Sequence, residues 1–348
     1  MSRRLPIYFL IDVSESMVGE PIEQVEEGIS TIIKELKTDP YALETVSISI
    51  ICFAGKSKTL TPLEDIITFY PPKIPIGSGT SLSAGLHELM NALDKEVTKT
   101  THDRKGDWRP LVFLFTDGIP TDDSSKAIEK WNSKYKNQIS LIAISIGENT
   151  NYNLLGQLTD QVLKFNNTSN NSYKDFFKWV TASIKATSEN INNNNTLNTD
   201  IVKPVNELIE KIDITKKYNI PDDNFVILQG KCSQTDKQYL IKYEADLVNS
   251  GIEDFKTKIF KARGAYKVEE KTYKEISSEI DYSLKISSDE LYGNPSCPCC
   301  GNQVSVAHCI CGGIHCITGN GEAKCPWCGN NGIYGFTDES LNINRTLG

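Results

Sequence analysis

The sequence predicts an α/β fold with a doubly wound, mostly parallel sheet, followed by a small β-rich domain and a zinc-ribbon-like module. Three features predict it: apolar strands alternate with amphipathic helices, an asparagine-rich tract interrupts the chain, and eight of the ten cysteines lie close together near its end. A chain of 348 residues usually divides into two or three domains. We therefore predict a first domain at 1–189, a linker at 190–200, a β-rich domain at 201–292 and a cysteine module at 293–348.

The strands of the first domain are apolar along their whole length. Residues 7–11, 111–115 and 141–146 show little alternation of polar and apolar side chains, which is typical of parallel strands covered on both faces. Further strands are expected at Val46–Phe53 and Val162–Phe165. Between the strands, apolar residues recur at helical spacing in four segments, and this βαβ series predicts a doubly wound sheet. These segments begin at Ile22, Leu82, Ile128 and Phe176.

The segment after the first domain is different in character. The polar tract 190–198 cannot bury enough apolar surface to order itself, so we place the domain boundary there. Beyond it, 225–228, 239–243 and 266–273 are expected to form short strands separated by glycines. This part predicts a small β-rich domain and carries no readable chemistry.

Oxygen-bearing side chains follow two of the predicted strands. Asp12, Ser14 and Ser16 come directly after the first strand, Thr80 follows the glycine-containing loop 77–79, and Asp117 follows the strand at 111–115. Ligands bind at the carboxyl ends of strands in open α/β sheets. An all-oxygen set suits Mg²⁺, or else Ca²⁺ or Mn²⁺. Because neutral hydroxyls withdraw little charge, we expect the ion to remain able to bind a carboxylate of a partner protein.

Two other interpretations of these residues stay open. Asp12 and Thr80 could cap helices while the serines form turns, and Asp122 and Asp123 could line the site or begin a helix at Ser124. The enzymatic alternative is a haloacid-dehalogenase-like phosphatase with Asp12 as the nucleophile. That chemistry requires a second acid two residues later, where this chain has Ser14. We therefore predict a binding protein and no enzyme, with no catalytic residues.

The cysteine cluster predicts zinc binding. Two Cys-Pro-x-Cys-Gly knuckles begin at Cys297 and Cys325, and the residues between them supply ligands for a second ion. Whether one or two zinc ions bind, and which ligands share an ion, cannot be derived from the spacing. Cys299 and His308 are expected not to ligate, and Cys52 and Cys232 are expected to be small buried apolar residues. The eight predicted ligands are Cys297, Cys300, Cys309, Cys311, His315, Cys316, Cys325 and Cys328.

Composition limits where we expect the protein to be located and which classes of partner we expect it to bind. No apolar run approaches the length of about 20 residues that spans a bilayer, and the first residues lack the pattern of a secretory signal, so we expect a cytoplasmic protein. Eight clustered cysteines in a reducing compartment favour metal thiolates over disulfides. The net charge of -8 gives no support to nucleic-acid binding, although a nucleic-acid-binding or RING-like zinc module remains an alternative.

The Asp-x-Ser-x-Ser, Thr and Asp elements resemble the metal-ion-dependent adhesion site of the von Willebrand factor A family over roughly residues 5 to 188. This resemblance implies that Ser14, Ser16 and Thr80 bind the metal directly, whereas Asp12 and Asp117 act through water. With the zinc module, the chain resembles the TerY-like proteins of bacterial tellurite-resistance and stress systems. That resemblance implies a binding component that works beside a kinase and a phosphatase.

Overall fold

The computed structural model describes residues 3–103, 105–117, 119–146, 150–166, 172–194, 209–218, 224–249, 256–278, 284–335, 337 and 339–346. Its contacts divide the chain into two compact units. The first unit comprises Met1–Val13, Glu20–Ile74 and Thr80–Pro221. The second comprises Ser14–Gly19, Pro75–Gly79 and Asp222–Gly348. Two short segments from the N-terminal half therefore belong to the second unit.

The first unit is built on a seven-stranded sheet with the order β3-β2-β1-β4-β5-β6-β7. The five central strands are parallel, and β3 and β7 join the edges antiparallel. The edge strands β3 and β7 had not been predicted, and β7 extends this unit beyond the predicted linker. The strands are β1 Leu5–Asp12, β2 Val46–Phe53, β3 Ser57–Asp65, β4 Leu111–Thr116, β5 Ser140–Ile146, β6 Val162–Phe165 and β7 Ile209–Lys211.

Helices cover both faces of this sheet, as the sequence predicts. Tyr8 and Leu10 pack in one cluster with residues of α3, α4 and α5. On the other face, Phe9 stacks on Phe115 at 6.2 Å between ring centroids, and Phe115 lies 6.1 Å from Phe177 of α6. Because neighbouring residues of a strand face opposite sides, each central strand contributes to both layers. The helices are α1 Glu20–Leu36, α2 Pro40–Thr45, α3 Leu82–Glu96, α4 Ser125–Lys134, α5 Tyr152–Leu158 and α6 Ser172–Asn194.

The second unit contains a six-stranded sheet with the order β12-β10-β9-β8-β14-β13, and two small two-stranded sheets, β11-β17 and β15-β16. Its strands are β8 Phe225–Lys231, β9 Gln238–Asn249, β10 Lys256–Lys267, β11 Leu284–Ser287, β12 Leu291–Tyr292, β13 Val304–His308, β14 Ile314–Ile317, β15 Gly321–Lys324, β16 Asn331–Tyr334 and β17 Asn342–Arg345. The α-helix described in this unit is α7, Glu270–Ile276.

Two predictions for this region differ from the structure. Strand β14, within the predicted cysteine module, pairs in parallel with β8 of the predicted β-rich domain, so one sheet crosses the predicted boundary at 293. All four residues of β14 are buried, which requires neighbours on both of its faces. The predicted strand at 266–273 is also wrong in its second half, because α7 begins at Glu270. Among the described residues, no helix is long and apolar enough to cross a membrane.

Candidate metal centres

Two predicted carboxylates lie at the carboxyl edge of the first unit's sheet. Asp12 ends β1 and is completely buried, and its carboxylate accepts a hydrogen bond of 2.7 Å from the hydroxyl of Thr116. Thr116 ends β4, which runs parallel to β1 and pairs with it. Asp117, the next residue, is also buried. The parallel pairing therefore places both carboxylates at the ends of adjacent central strands.

Thr80 lies at the same edge of the first unit. Its backbone N–H donates to the Thr121 hydroxyl at 3.0 Å, and the N–H of Thr121 donates back to the Thr80 carbonyl at 2.8 Å. Thr80 and Thr116 also line one small cavity. These hydrogen bonds join the loop before α3 to the loop after β4. Asp12, Thr80 and Asp117 therefore all lie at the carboxyl edge of the first unit's sheet.

Asp122 strengthens the connection between these loops. Its carboxylate accepts hydrogen bonds from the Ser81 hydroxyl at 2.8 Å and from the N–H groups of Leu82 and Ser83 at 3.1 and 3.0 Å. A carboxylate at a helix N-terminus binds N–H groups that lack partners within the helix. Asp123, in contrast, accepts from the N–H and hydroxyl of Ser125 at the start of α4. The predicted helix start explains Asp123, whereas Asp122 caps the other helix, α3.

Ser14 and Ser16 belong to the second unit, where both residues are buried and their hydroxyls form a hydrogen bond of 2.9 Å. A single turn of 3-10 helix, Glu15–Met17, follows Ser14. Adjacent ligands of an octahedral Mg²⁺ with bonds of about 2.0–2.1 Å lie about 2.9 Å apart, whereas the longer bonds of Ca²⁺ place them about 3.3 Å apart or more. The hydrogen bond thus holds the two hydroxyls at a spacing that is also compatible with adjacent positions on one Mg²⁺ ion.

Eight cysteines of the second unit form two groups in which the sulfur atoms of each group lie within 4.8 Å of one another. The sulfurs of Cys300 and Cys316 are 3.7 Å apart, and those of Cys311 and Cys325 are 3.8 Å apart. Four thiolates around a tetrahedral zinc with Zn–S bonds of about 2.3 Å lie about 3.8 Å from one another. The spacing therefore fits zinc. The first group is Cys232, Cys297, Cys300 and Cys316, and the second is Cys309, Cys311, Cys325 and Cys328.

Both predicted knuckles have the same backbone geometry. In each, the N–H of the first cysteine, Cys297 or Cys325, donates to the carbonyl five residues later at 2.7 or 2.9 Å. The N–H of Gly301 or Gly329 donates back to that cysteine's carbonyl at 2.9 Å. These glycines have φ of +80° and +76°, a left-handed conformation that other residues adopt at a cost. The glycine at the end of each knuckle therefore allows the turn to close.

Cys232 belongs to the first group, although it had been predicted to be a small buried apolar residue. Its turn repeats the knuckle: its N–H donates to the Lys237 carbonyl at 2.9 Å, and the N–H of Asp236 donates to its carbonyl at 3.0 Å. Asp236, at φ +57°, takes the position that glycine takes in the knuckles. Burial would raise the pKa of Cys232, but hydrogen bonds from the Thr235 side chain and nearby backbone lower it to about 7. A thiolate-favouring turn of this kind suits a metal ligand.

His315 lies outside both groups, contrary to its prediction as a ligand. Its Nδ1 is 3.1 Å from the Cys316 carbonyl, and its ring contacts Tyr334 edge-on with centroids 4.7 Å apart. Neighbouring side chains of a strand point to opposite faces, so Cys316 and His315 of β14 cannot both face the first group. Cys299 and His308 also lie outside the two groups.

Along the chain the two cysteine groups interleave, because Cys309 and Cys311 of the second group precede Cys316 of the first.

Comparisons with known proteins match both halves of the chain. The von Willebrand factor type A domain model matches residues 7–179, and the TerY-C metal binding domain model matches residues 222–348. The inter-alpha-trypsin inhibitor heavy chain H2 of Sus scrofa is 28% identical over 160 residues, which cover 44% of this chain and 17% of that protein. This chain therefore spans about a sixth of the length of that relative.

Two solved structures align with parts of this chain at low similarity. Proximal thread matrix protein 1 from the mussel byssus has a TM-score of 0.39 and 19% identity, with 51% of this chain and 47% of that chain covered. The ArnB paralog VWA2 from Sulfolobus acidocaldarius has a TM-score of 0.37 and 14% identity, with coverage of 78% and 68%. The family matches confirm the resemblance found in the sequence: the chain carries a von Willebrand factor type A domain at 7–179 and a TerY-C metal binding domain at 222–348.

Proposed function

We propose that this chain is a non-enzymatic protein-binding scaffold that captures an acidic residue of a partner through one Mg²⁺ ion. The buried pair of Ser14 and Ser16 hydroxyls carries this proposal, because their hydrogen bond of 2.9 Å keeps them at a spacing compatible with two adjacent ligand positions on Mg²⁺. The residues proposed to bind the ion, directly or through water, are Asp12, Ser14, Ser16, Thr80 and Asp117.

The balance of ligand charge explains how such an ion acts in binding. Three of the five proposed groups are neutral hydroxyls, and the Asp12 carboxylate also accepts a hydrogen bond from Thr116. An ion held largely by neutral oxygens keeps more of its charge than one in a cage of carboxylates, since ligand charge sets its affinity. A carboxylate from a partner protein can therefore displace a water molecule and complete the coordination.

The cysteine groups have a different role in this proposal. Each would hold one zinc ion with four thiolates, which leaves no open position for substrate or partner. A structural zinc of this type contributes on the order of 10 kcal/mol to folding. The zinc ions would therefore stabilise the second unit.

The proposed location rests on the sequence expectation given above, and the proposed system and partner rest on the family resemblance alone. We place the chain in the cytoplasm, in a bacterial stress or tellurite-resistance complex, with a kinase or a phosphatase as its partner. The acidic residue that the Mg²⁺ ion binds would lie on that partner.

The test is affinity capture from lysate by zinc-loaded protein in buffers with and without Mg²⁺, followed by mass spectrometry. The wild-type chain should capture a partner only with Mg²⁺, and Ser14→Ala should capture none. Ser133→Ala, a matched change on α4 at an exposed hydroxyl bound to the Lys130 carbonyl, should behave as wild type. Equal capture by Ser14→Ala, or capture without Mg²⁺, would contradict the proposal. Turnover of a phosphoester that is lost in Asp12→Asn would favour the phosphatase instead.

A further inference from the structure

The segment that carries Ser14 and Ser16 is folded against TerY-C residues within the second unit. Ser14 forms an isolated parallel bridge with Gly77, so Ser14–Gly19 and Pro75–Gly79 lie side by side. Val18 and Ile76, one from each segment, pack with Ile227, Leu240 and Tyr273. The two loop segments thus share an apolar cluster with β8, β9 and α7.

Glu15, between the two serines, has a completely buried carboxylate that α7 binds. It accepts hydrogen bonds from the hydroxyl of Tyr273 and from the hydroxyl of Ser78, the latter at 3.3 Å. Burial and the neighbouring Glu15 charge raise the pKa of Tyr273, so its hydroxyl stays protonated and can donate. A buried carboxylate is tolerated when it is hydrogen-bonded in this way. The same helix end also binds Ser78, whose N–H donates to the Ser277 hydroxyl at 2.9 Å.

Lys242 of β9 binds the loop backbone directly. Its side chain is buried, and its ammonium donates to the carbonyl of Ser16 and, at 3.4 Å, to the carbonyl of Val18. The ammonium also lies 4.5 Å from the centre of the Phe225 ring. A buried ammonium needs acceptors, and these two carbonyls on either side of Met17 provide them. The loop conformation that brings the serine hydroxyls together is therefore linked to a charge on the TerY-C sheet.

We propose that Lys242 and Tyr273 of the TerY-C region are positioning residues for the adhesion site, holding Ser14 and Ser16 in the conformation that binds Mg²⁺. This inference rests on the proposed function, because it assigns the two serines to a metal. A loop already ordered loses less conformational entropy when the ion binds, and residues that orient metal ligands commonly change metal affinity by about 10- to 100-fold. The TerY-C region would then set the Mg²⁺ affinity of the von Willebrand factor A site.

The test is isothermal titration of Mg²⁺ into the zinc-loaded full chain. Lys242→Met, which keeps most of the side-chain length and removes the charge, and Tyr273→Phe, which removes one hydroxyl, should each weaken Mg²⁺ binding about tenfold or more. Lys261→Met on β10 is the matched control, because Lys261 is exposed and pairs with Asp246 at 2.5 Å. Zinc content and circular dichroism should match wild type in all three variants.

The outcomes separate this inference from the function on which it rests. If the wild-type chain binds no Mg²⁺, the proposed function fails and this inference with it. If the wild type binds Mg²⁺ and both variants bind it within twofold of wild type, the proposed function stands and the positioning role is wrong.

A second measurement needs no variant and covers the case of variants that fail to fold. Because coupling between two sites is reciprocal, Mg²⁺ should slow amide hydrogen exchange in α7 and around Lys242 of the wild-type chain. Unchanged exchange in these segments, at a Mg²⁺ concentration that saturates the titration, would overturn the proposal.

Discussion

The oxygen site and the cysteine groups differ in how the chain brings their ligands together. Asp12 ends β1 and Asp117 follows β4, and because these two strands are paired, the positions of both carboxylates depend on the register of a large sheet. Most members of the cysteine groups lie instead in or beside short turns closed by their own hydrogen bonds, such as those at Cys297 and Cys325, whereas Cys316 lies on β14.

The two proposed sites also differ in the charge of their ligands. Hydroxyls bind as neutral groups, so the proposed Mg²⁺ is exchangeable and open to a partner, whereas four thiolates neutralise and enclose a zinc ion. Under the proposed function, the oxygen site would bind a partner protein and the cysteine groups would stabilise the fold of the second unit. Each prediction below either sharpens that contrast or breaks it.

The largest effect is expected from removing Cys232, the proposed zinc ligand that only the structure points to. Cys232→Ser should reduce the zinc content from two ions to one and destabilise the second unit severely, since a structural zinc contributes on the order of 10 kcal/mol. Elemental analysis and thermal unfolding would measure both effects. Cys299→Ser is the matched control, because Cys299 lies outside both groups and should leave two zinc ions bound. Two retained zinc ions in Cys232→Ser would show that this cysteine is not a ligand.

A smaller effect, confined to the oxygen site, is expected from Ser14→Ala. Loss of one ligand should weaken Mg²⁺ binding at least about 100-fold, while zinc content and unfolding temperature without Mg²⁺ stay near wild type. Calorimetric titration measures the affinity, and Ser133→Ala serves as the control. A Ser14→Ala protein that binds Mg²⁺ normally would remove the distinction between the two regions.

The knuckle turns should depend on glycine. Gly301→Ala should lower the free energy of unfolding of the second unit by about 1–2 kcal/mol, because alanine is strained at a φ of +80°. Gly319→Ala is the control, since a Cβ at Gly319 meets nothing within 4 Å and its φ lies outside the left-handed range. Denaturant unfolding of the zinc-loaded proteins measures the difference. Equal stability of the two variants would mean that the turn conformation does not limit folding here.

The smallest effect is expected where the two loops of the first unit meet. Asp122→Asn should lower the free energy of unfolding by about 1 kcal/mol, because an amide replaces the charged acceptor at the N-terminus of α3. Asp123→Asn, at the exposed start of α4, should have a smaller effect. Chemical denaturation compares the two, and a reversed order would show that Asp122 does not connect the loops.

The central strands could be predicted because burial on both faces leaves a clear signal. The strand β1 is buried at all eight positions, and its sequence is apolar up to Asp12. The edge strand β3 mixes buried and exposed positions in its segment Ser57–Asp65, so periodicity does not reveal it. The three residues of β7 are too few for any pattern.

The candidate sites could be predicted as motifs but not as complete sets. Asp12, Thr80 and Asp117 stand beside recognisable strand or loop signals, whereas Cys232 is a single cysteine far upstream of its group. The sequence feature that could have indicated Cys232 as a ligand is its place in a turn between two predicted strands, where Asp236 takes the position of the knuckle glycine. The hydrogen bond from Tyr273 to Glu15 joins residues 258 positions apart, and no local sequence pattern predicts such a contact.

Native mass spectrometry of the full chain, before and after exchange into Mg²⁺-free buffer, tests the contrast between the two regions most directly. We predict two zinc ions and one magnesium ion per chain at first, with the magnesium lost on exchange and both zinc ions retained. A chain that carries no magnesium in millimolar Mg²⁺, or that releases zinc as readily as magnesium, would contradict the account.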